Sequence, residues 1–131
     1  MKTKQMISVL FSLAAVYDGV LGLAFLVAPS MIFQRFEVAP PNHFGYVQFS
    51  ALLLLIFAVM FASVAYAPDK NRNLIPYGIA LKIAYCGIVF YYWFSVQIPT
   101  IWKPFAVLDF CCIILFTIAF IALKGRISRR Q

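Results

Sequence analysis

Three residues in this chain have the means to do chemistry where chemistry is least expected. Asp18, Lys82 and Asp109 each lie deep inside a long apolar run. A charge stranded in hydrocarbon costs a few kcal/mol on insertion scales, so such residues face inward, pair with one another or stay neutral. Two readings follow. As structure, Asp18–Lys82 and Asp109 hold helices in register. As function, two carboxyls and an ammonium make a proton relay or a polar anchor for a ligand head group. His43 stands apart, near Glu37 at the mouth of the second apolar run, where it suits an interfacial or quinone-contacting role. A metal centre needs three or four converging ligands, and one histidine with scattered carboxylates does not supply them. Cys86, Cys111 and Cys112 all fall within apolar runs and form no C-x-x-C pair, which points to small buried hydrophobes and away from thiol–disulfide chemistry. No nucleotide-binding loop, zinc-protease motif, nucleophile elbow or catalytic triad is present. The expectation is a protein without catalytic residues or a metal of its own.

The elements that must position these residues are four apolar stretches, at about 7–28, 44–66, 74–96 and 101–123. Each has about 22 residues, enough at 1.5 Å per residue to cross a hydrocarbon core of roughly 30 Å. Backbone polar groups in lipid must be satisfied within the segment, so helices are expected, and the short alternating strands of a β-barrel are missing. Of the 131 residues, 64% are hydrophobic and only 11% charged. A soluble domain would carry about a quarter charged residues. The predicted fold is therefore all-α: one integral membrane domain over 1–131, a four-helix transmembrane bundle. The first stretch is too long for a signal-peptide core and lacks a small-residue cleavage site. Counting from the basic ends of the spans places Asp18, Lys82 and Asp109 at depths of about 16, 12 and 21 Å, within reach of a common level.

The net charge of +7 does not mark a nucleic-acid binder. Lys2, Lys4, Lys70, Arg72, Lys124, Arg126, Arg129 and Arg130 sit just outside apolar runs and form no stripe, whereas the other two connections carry only Arg35 and Lys103. Under the positive-inside rule this puts both termini and the 67–73 loop in the cytoplasm, and the chain in the inner (cytoplasmic) membrane as a multi-pass protein. Tyr91, Tyr92, Trp93 and Trp102 fit an aromatic belt at the far interface, and Tyr66 and Tyr77 one at the near interface. In the 29–43 connection, Met31, Ile32, Phe33 and Phe36 recur at helical spacing. A short interfacial helix is expected there, ended by Ala39-Pro40-Pro41, with Met31, Phe33 and Phe36 toward lipid or a partner and Asn42 capping the second span. Short loops predict that spans two, three and four are antiparallel neighbours. Ser8, Ser12, Ala15, Gly19 and Gly22 line one face of span one, a surface on which another helix can approach closely.

The segment Tyr17-Asp18-Gly19-Val20-Leu21-Gly22-Leu23-Ala24-Phe25-Leu26-Val27-Ala28-Pro29, with Val107-Leu108-Asp109-Phe110 at the opening of span four, resembles the DoxX-like group of small bacterial four-helix membrane proteins. The resemblance implies the same architecture and a partner-dependent role, in a group variously tied to quinone-dependent sulfur oxidation and redox membrane complexes. The leading functional expectation is a non-catalytic accessory or scaffold subunit, a constituent of a larger membrane complex or a homo-oligomer. The alternatives are a quinone-binding redox component built on Asp18, Lys82, Asp109 and His43, with quinone or lipid as its ligand, and a small proton-coupled transporter using the same charges.

Overall fold

The computed structural model describes residues 2–131. Its helices are α1 (Lys2–Val27), α2 (Pro29–Arg35), α3 (Gly45–Tyr66), α4 (Ile75–Ser95) and α5 (Trp102–Arg130), with a 3-10 turn at Arg72–Leu74 leading into α4. Four helical segments are long and apolar enough to cross a membrane, and no strand occurs among the described residues. The chain is a multi-pass membrane protein built as an all-α four-helix bundle.

Each long helix buries one stripe and gives the rest to lipid. On α1 the buried residues are Ile7, Phe11, Ala14, Asp18, Gly22 and Phe25, and on α4 Ile75, Gly78, Lys82, Cys86 and Val89. These recur every three or four residues, the period that keeps one helical face inward. The large apolar residues between them, such as Leu13, Val16, Val20 and Leu23 on α1, point outward.

Hydrocarbon solvates such side chains as well as a protein interior does, so the helices are held by close packing and by polar contacts between them. Close packing is strongest between α1 and α3 and next between α4 and α5, whereas the two pairs approach each other less closely. α4 and α5 are neighbours as expected, and α3 touches α4 through Phe61 and Gly78, but α3's main partner is α1, across the long connection. Side-chain size explains it. Ala51, Ala58 and Ala65 are buried on α3 at seven-residue spacing and face the small residues of α1. A Cβ at Gly22 would lie 2.9 Å from the Ala51 carbonyl oxygen, and one at Gly19 would lie 3.7 Å from the Ala58 Cβ. The Ser8 hydroxyl donates to the Ala65 carbonyl. Between the pairs stand larger groups. Phe11, Phe61 and Phe116 form a three-ring cluster with centroids 4.6 to 5.9 Å apart, and Gly78 leaves room for Phe61, whose ring carbon would be 2.5 Å from an added Cβ.

The N-terminus, the α3–α4 loop and the distal part of α5 share one end of the bundle. Lys4 Nζ is 3.2 Å from Asp69, Asn71 donates to the Ser63 carbonyl at 2.7 Å, and Arg72 donates to the Phe120 carbonyl at 2.9 Å while lying over the Phe120 ring. This basic end gathers eight of the chain's lysines and arginines. α5 continues to Arg130, seven residues past its expected end, carrying basic side chains into the last turn, where they oppose the negative end of the helix dipole.

The 29–43 connection does hold a short helix, with three corrections. Pro29 cannot continue α1, having no N–H to donate, and it opens α2 instead. α2 stops at Arg35, before the prolines expected to end it. Val38 N–H donates to Phe33 O at 2.9 Å and Glu37 N–H to Gln34 O at 3.2 Å, with Glu37 at φ 54°: a Schellman closure, which satisfies the last carbonyls before Ala39 is reached. Phe33 does not face lipid. It is 7% exposed and packs edge-on against Phe44 and Trp102, while Met31 and Phe36 do point outward. Asn42 does not cap α3, which has no side-chain cap on its N-terminal residue Phe44. The amide of Gly45 donates instead to Nδ1 of His43 at 2.9 Å.

Candidate functional site

Helix periodicity brings the three buried charges together. Asp18 follows Phe11 and Ala14 on the inward stripe of α1, Lys82 lies one turn past Gly78 on α4, and Asp109 lies three residues past Ala106 on α5. Lys82 Nζ lies 2.7 Å from Asp18 Oδ1 and 3.1 Å from Asp109 Oδ1. The first contact is an aligned hydrogen bond. The second contact is longer and less well aligned. The three residues are 0%, 1% and 6% exposed for Asp18, Lys82 and Asp109. The triad therefore ties α1, from the tightly packed α1–α3 pair, to both helices of the other pair.

Its surroundings are apolar toward both ends of the bundle. On the basic side stands the Phe11–Phe61–Phe116 cluster, with Val64, Ile75 and Leu123 beyond it. Toward the other end, Phe25 stacks on Trp102 with centroids 5.8 Å apart, and Phe33 and Ala51 complete a second cluster. Two tyrosines, Tyr17 and Tyr85, and two cysteines, Cys86 and Cys112, lie nearby. The Tyr17 ring centroid is 5.1 Å from Lys82 Nζ, and its hydroxyl is buried without a partner. Tyr85 donates to the Trp102 carbonyl at 3.1 Å and Cys86 to the Ala106 carbonyl at 3.3 Å, so both are engaged in fastening α4 to α5.

His43 is not part of this cluster. It is exposed, ahead of the first turn of α3, and roughly 15 Å along the bundle from Asp18, taking 1.5 Å per residue over 45–51 and 18–22. Of the four residues grouped by sequence, the structure therefore brings three together, because His43 precedes α3 and cannot reach back to mid-bundle. Cys86 is buried on α4, but Cys111 is exposed and Cys112 half-buried on α5, so the expectation of buried cysteines holds for Cys86 and is corrected for Cys111, whose face of α5 points out of the bundle. Among the described residues, no three His, Cys, Asp or Glu side chains converge as metal ligands would.

Sequence reasoning missed two features that bear on function. One is the alanine heptad of α3, Ala51, Ala58 and Ala65, which was legible as a repeat of small residues. The other is the α3 side of an open groove of about 410 Å³ on the outer surface, where Ala62, Ala65 and Tyr66 meet Ser8, Ser12 and Ala15 of the small-residue face already read on span one. Comparisons with protein-family models, with curated proteins and with solved structures find no match for this chain.

Proposed function

We propose that the protein is a non-catalytic, membrane-embedded accessory subunit, seated in the inner (cytoplasmic) membrane with its basic end in the cytoplasm. The observation that carries this reading is the enclosure of its polar chemistry. The charged groups of the interior contact one another, and phenylalanine clusters separate them from both ends of the bundle. A site that processes a substrate needs concave space beside its polar groups. The site described here has its polar groups packed against protein. The outer surface is what such a bundle offers to a partner. The groove between α1 and α3 fits that role, since small and hydroxyl-bearing residues let another transmembrane helix approach closely and accept a hydrogen bond.

The test is solubilisation from native membranes in mild detergent, followed by affinity capture and mass spectrometry, with a photo-crosslinker placed at position 12 or 62. The expected result is a defined partner chain crosslinked from the groove. A chain that runs alone and crosslinks only to lipid overturns the reading. The two alternatives each have their own signature in the same preparation. Co-extracted quinone, lost when Asp18 or Asp109 is replaced, identifies a redox component. Substrate-dependent proton flux in reconstituted vesicles identifies a transporter.

A further inference from the structure

The charge balance of the triad carries an inference that the accessory-subunit reading does not contain. Two carboxyl groups share one ammonium, all three residues are 6% exposed or less, and Asp18 Oδ2 and Tyr17 Oη are buried with no partner. With every group ionised, the site would hold a net charge of −1 in the middle of the membrane. The groups that face it add no positive charge. α1 contributes Tyr17, α4 Tyr85 and Cys86, and α5 Cys112, while α3 presents the apolar Ala58 and Phe61. Lys103 Nζ is 4.9 Å from the Trp93 ring centroid and Arg72 lies on Phe120 near the basic end. A buried, unbalanced charge in this setting is strongly disfavoured.

We infer that the triad holds one exchangeable proton, resident on Asp109. The two carboxyls are not equivalent. Asp18 has the shorter, aligned contact with Lys82, and a hydrogen bond from an ammonium favours the ionised form. Asp109 has the longer contact, which gives it the weaker hold on its charge, and its side chain, 8% exposed, is the least enclosed of the three. The proton comes from water and returns to water, and in between it leaves the site neutral overall: one ammonium, one carboxylate, one carboxylic acid.

Infrared spectroscopy of the intact protein in lipid at neutral pH reads this directly, because a carboxylic acid absorbs at higher frequency than a carboxylate and shifts down in D2O. The wild-type protein is expected to show one such acid band, shifting in D2O while the protein stays folded. Asp109→Asn removes it. Asp18→Asn also removes it, because Asp109 then becomes the sole counter-charge of Lys82. Lys82→Met roughly doubles it, both carboxyls being neutral without the ammonium. Glu37→Gln and Asp69→Asn leave it unchanged. A purely structural triad of ionised groups predicts no acid band in any variant that keeps Lys82. Absence of the band in the wild-type protein overturns the inference, as does a band that survives in both aspartate variants or one that ignores D2O until the protein unfolds. Should a variant fail to fold, the wild-type band and its D2O shift still decide the question. This outcome is separate from partner capture, since a subunit without partners can hold the proton and a partnered subunit can lack it.

Discussion

Removing the aspartates one at a time and together should give sharply unequal losses of stability. Asp18→Asn breaks the 2.7 Å contact but leaves Lys82 with Asp109 at 3.1 Å. The ammonium keeps a carboxylate, so the loss is that of one hydrogen bond to a charged group, about 1.5–3 kcal/mol at most. Asp109→Asn removes the weaker contact and should cost less. Asp18→Asn with Asp109→Asn is a different perturbation, because it strands a lysine that is 1% exposed. Breaking a buried pair so that one charge is left alone costs about 3–5 kcal/mol, more than either single replacement. At about 1.4 kcal/mol per tenfold, that is a drop of some two to three orders of magnitude in the folded population. Adding Lys82→Met to the double variant should recover most of it, since an apolar side chain of similar length fills the same space. The assay is equilibrium unfolding of the purified protein in mixed micelles of increasing SDS content, followed by tryptophan fluorescence. Trp102 reports on the fold through its stacking on Phe25 and its edge-on contact with Phe33. Two results refute the reasoning. If Asp18→Asn alone is as damaging as the double variant, Lys82 is not shared. If Lys82→Met fails to rescue, the damage is not electrostatic.

Three further predictions rest on other parts of the structure. Gly22→Leu should separate α1 from α3 and cost several kcal/mol, because the new side chain meets the Ala51 carbonyl, which cannot move aside; Gly87→Ala, with nothing within 4 Å of the added Cβ, should be neutral or mildly stabilising in the same assay. Cysteines placed at 72 and 130, on a background without native cysteines, should label from one side with an impermeant reagent, and cysteines at 37 and 100 from the other. Labelling of 72 and 37 from the same side would refute the four-span arrangement. Glu37→Gly should leave the fold intact and stabilise it by about 1 kcal/mol, measured as a shift in the unfolding midpoint, because glycine adopts φ 54° without the strain of a Cβ.

The architecture was readable in the sequence because lipid imposes a simple rule. A span must satisfy its own backbone and must be long enough, and both conditions are written in residue types along the chain. The depth of the triad was readable for the same reason: with a fixed rise per residue, Asp18, Lys82 and Asp109 fall near one level. What the sequence could not supply was pairing between helices. Loop length suggested that α3 lies against α4, yet the small faces of α1 and α3 matched each other better, and Phe61 holds α4 off. His43 was grouped with the charges because its type suited them, although its position before α3 keeps it near the surface. Phe33 is expected toward lipid or a partner because the connection has no soluble core to enter, yet the chain's own Phe44 and Trp102 cover it.

The placement of charge and size in this bundle also separates two tasks that a soluble core combines. In water, burial of apolar area alone would bring four such helices together. In a membrane that gain is absent, so contact must come from groups that lipid cannot replace. The chain uses small residues where two helices are to lie backbone to backbone, at Gly22 against Ala51 and Gly19 near Ala58. It uses the ion triad where two helix pairs are to be joined across larger side chains. The first contact is fixed by shape and does not respond to conditions. The second depends on the ionic state of three groups, one of which retains slight exposure. A change at Asp109 therefore reaches both helix pairs at once, while the α1–α3 face that carries the groove keeps its own packing. Replacing Gly22 and replacing Asp109 should accordingly weaken the bundle in different ways: the first by loosening the groove itself, the second by loosening the attachment of α4 and α5 to it. Crosslinking from position 12 or 62 to a captured partner should be lost in the Gly22→Leu protein and retained in Asp109→Asn.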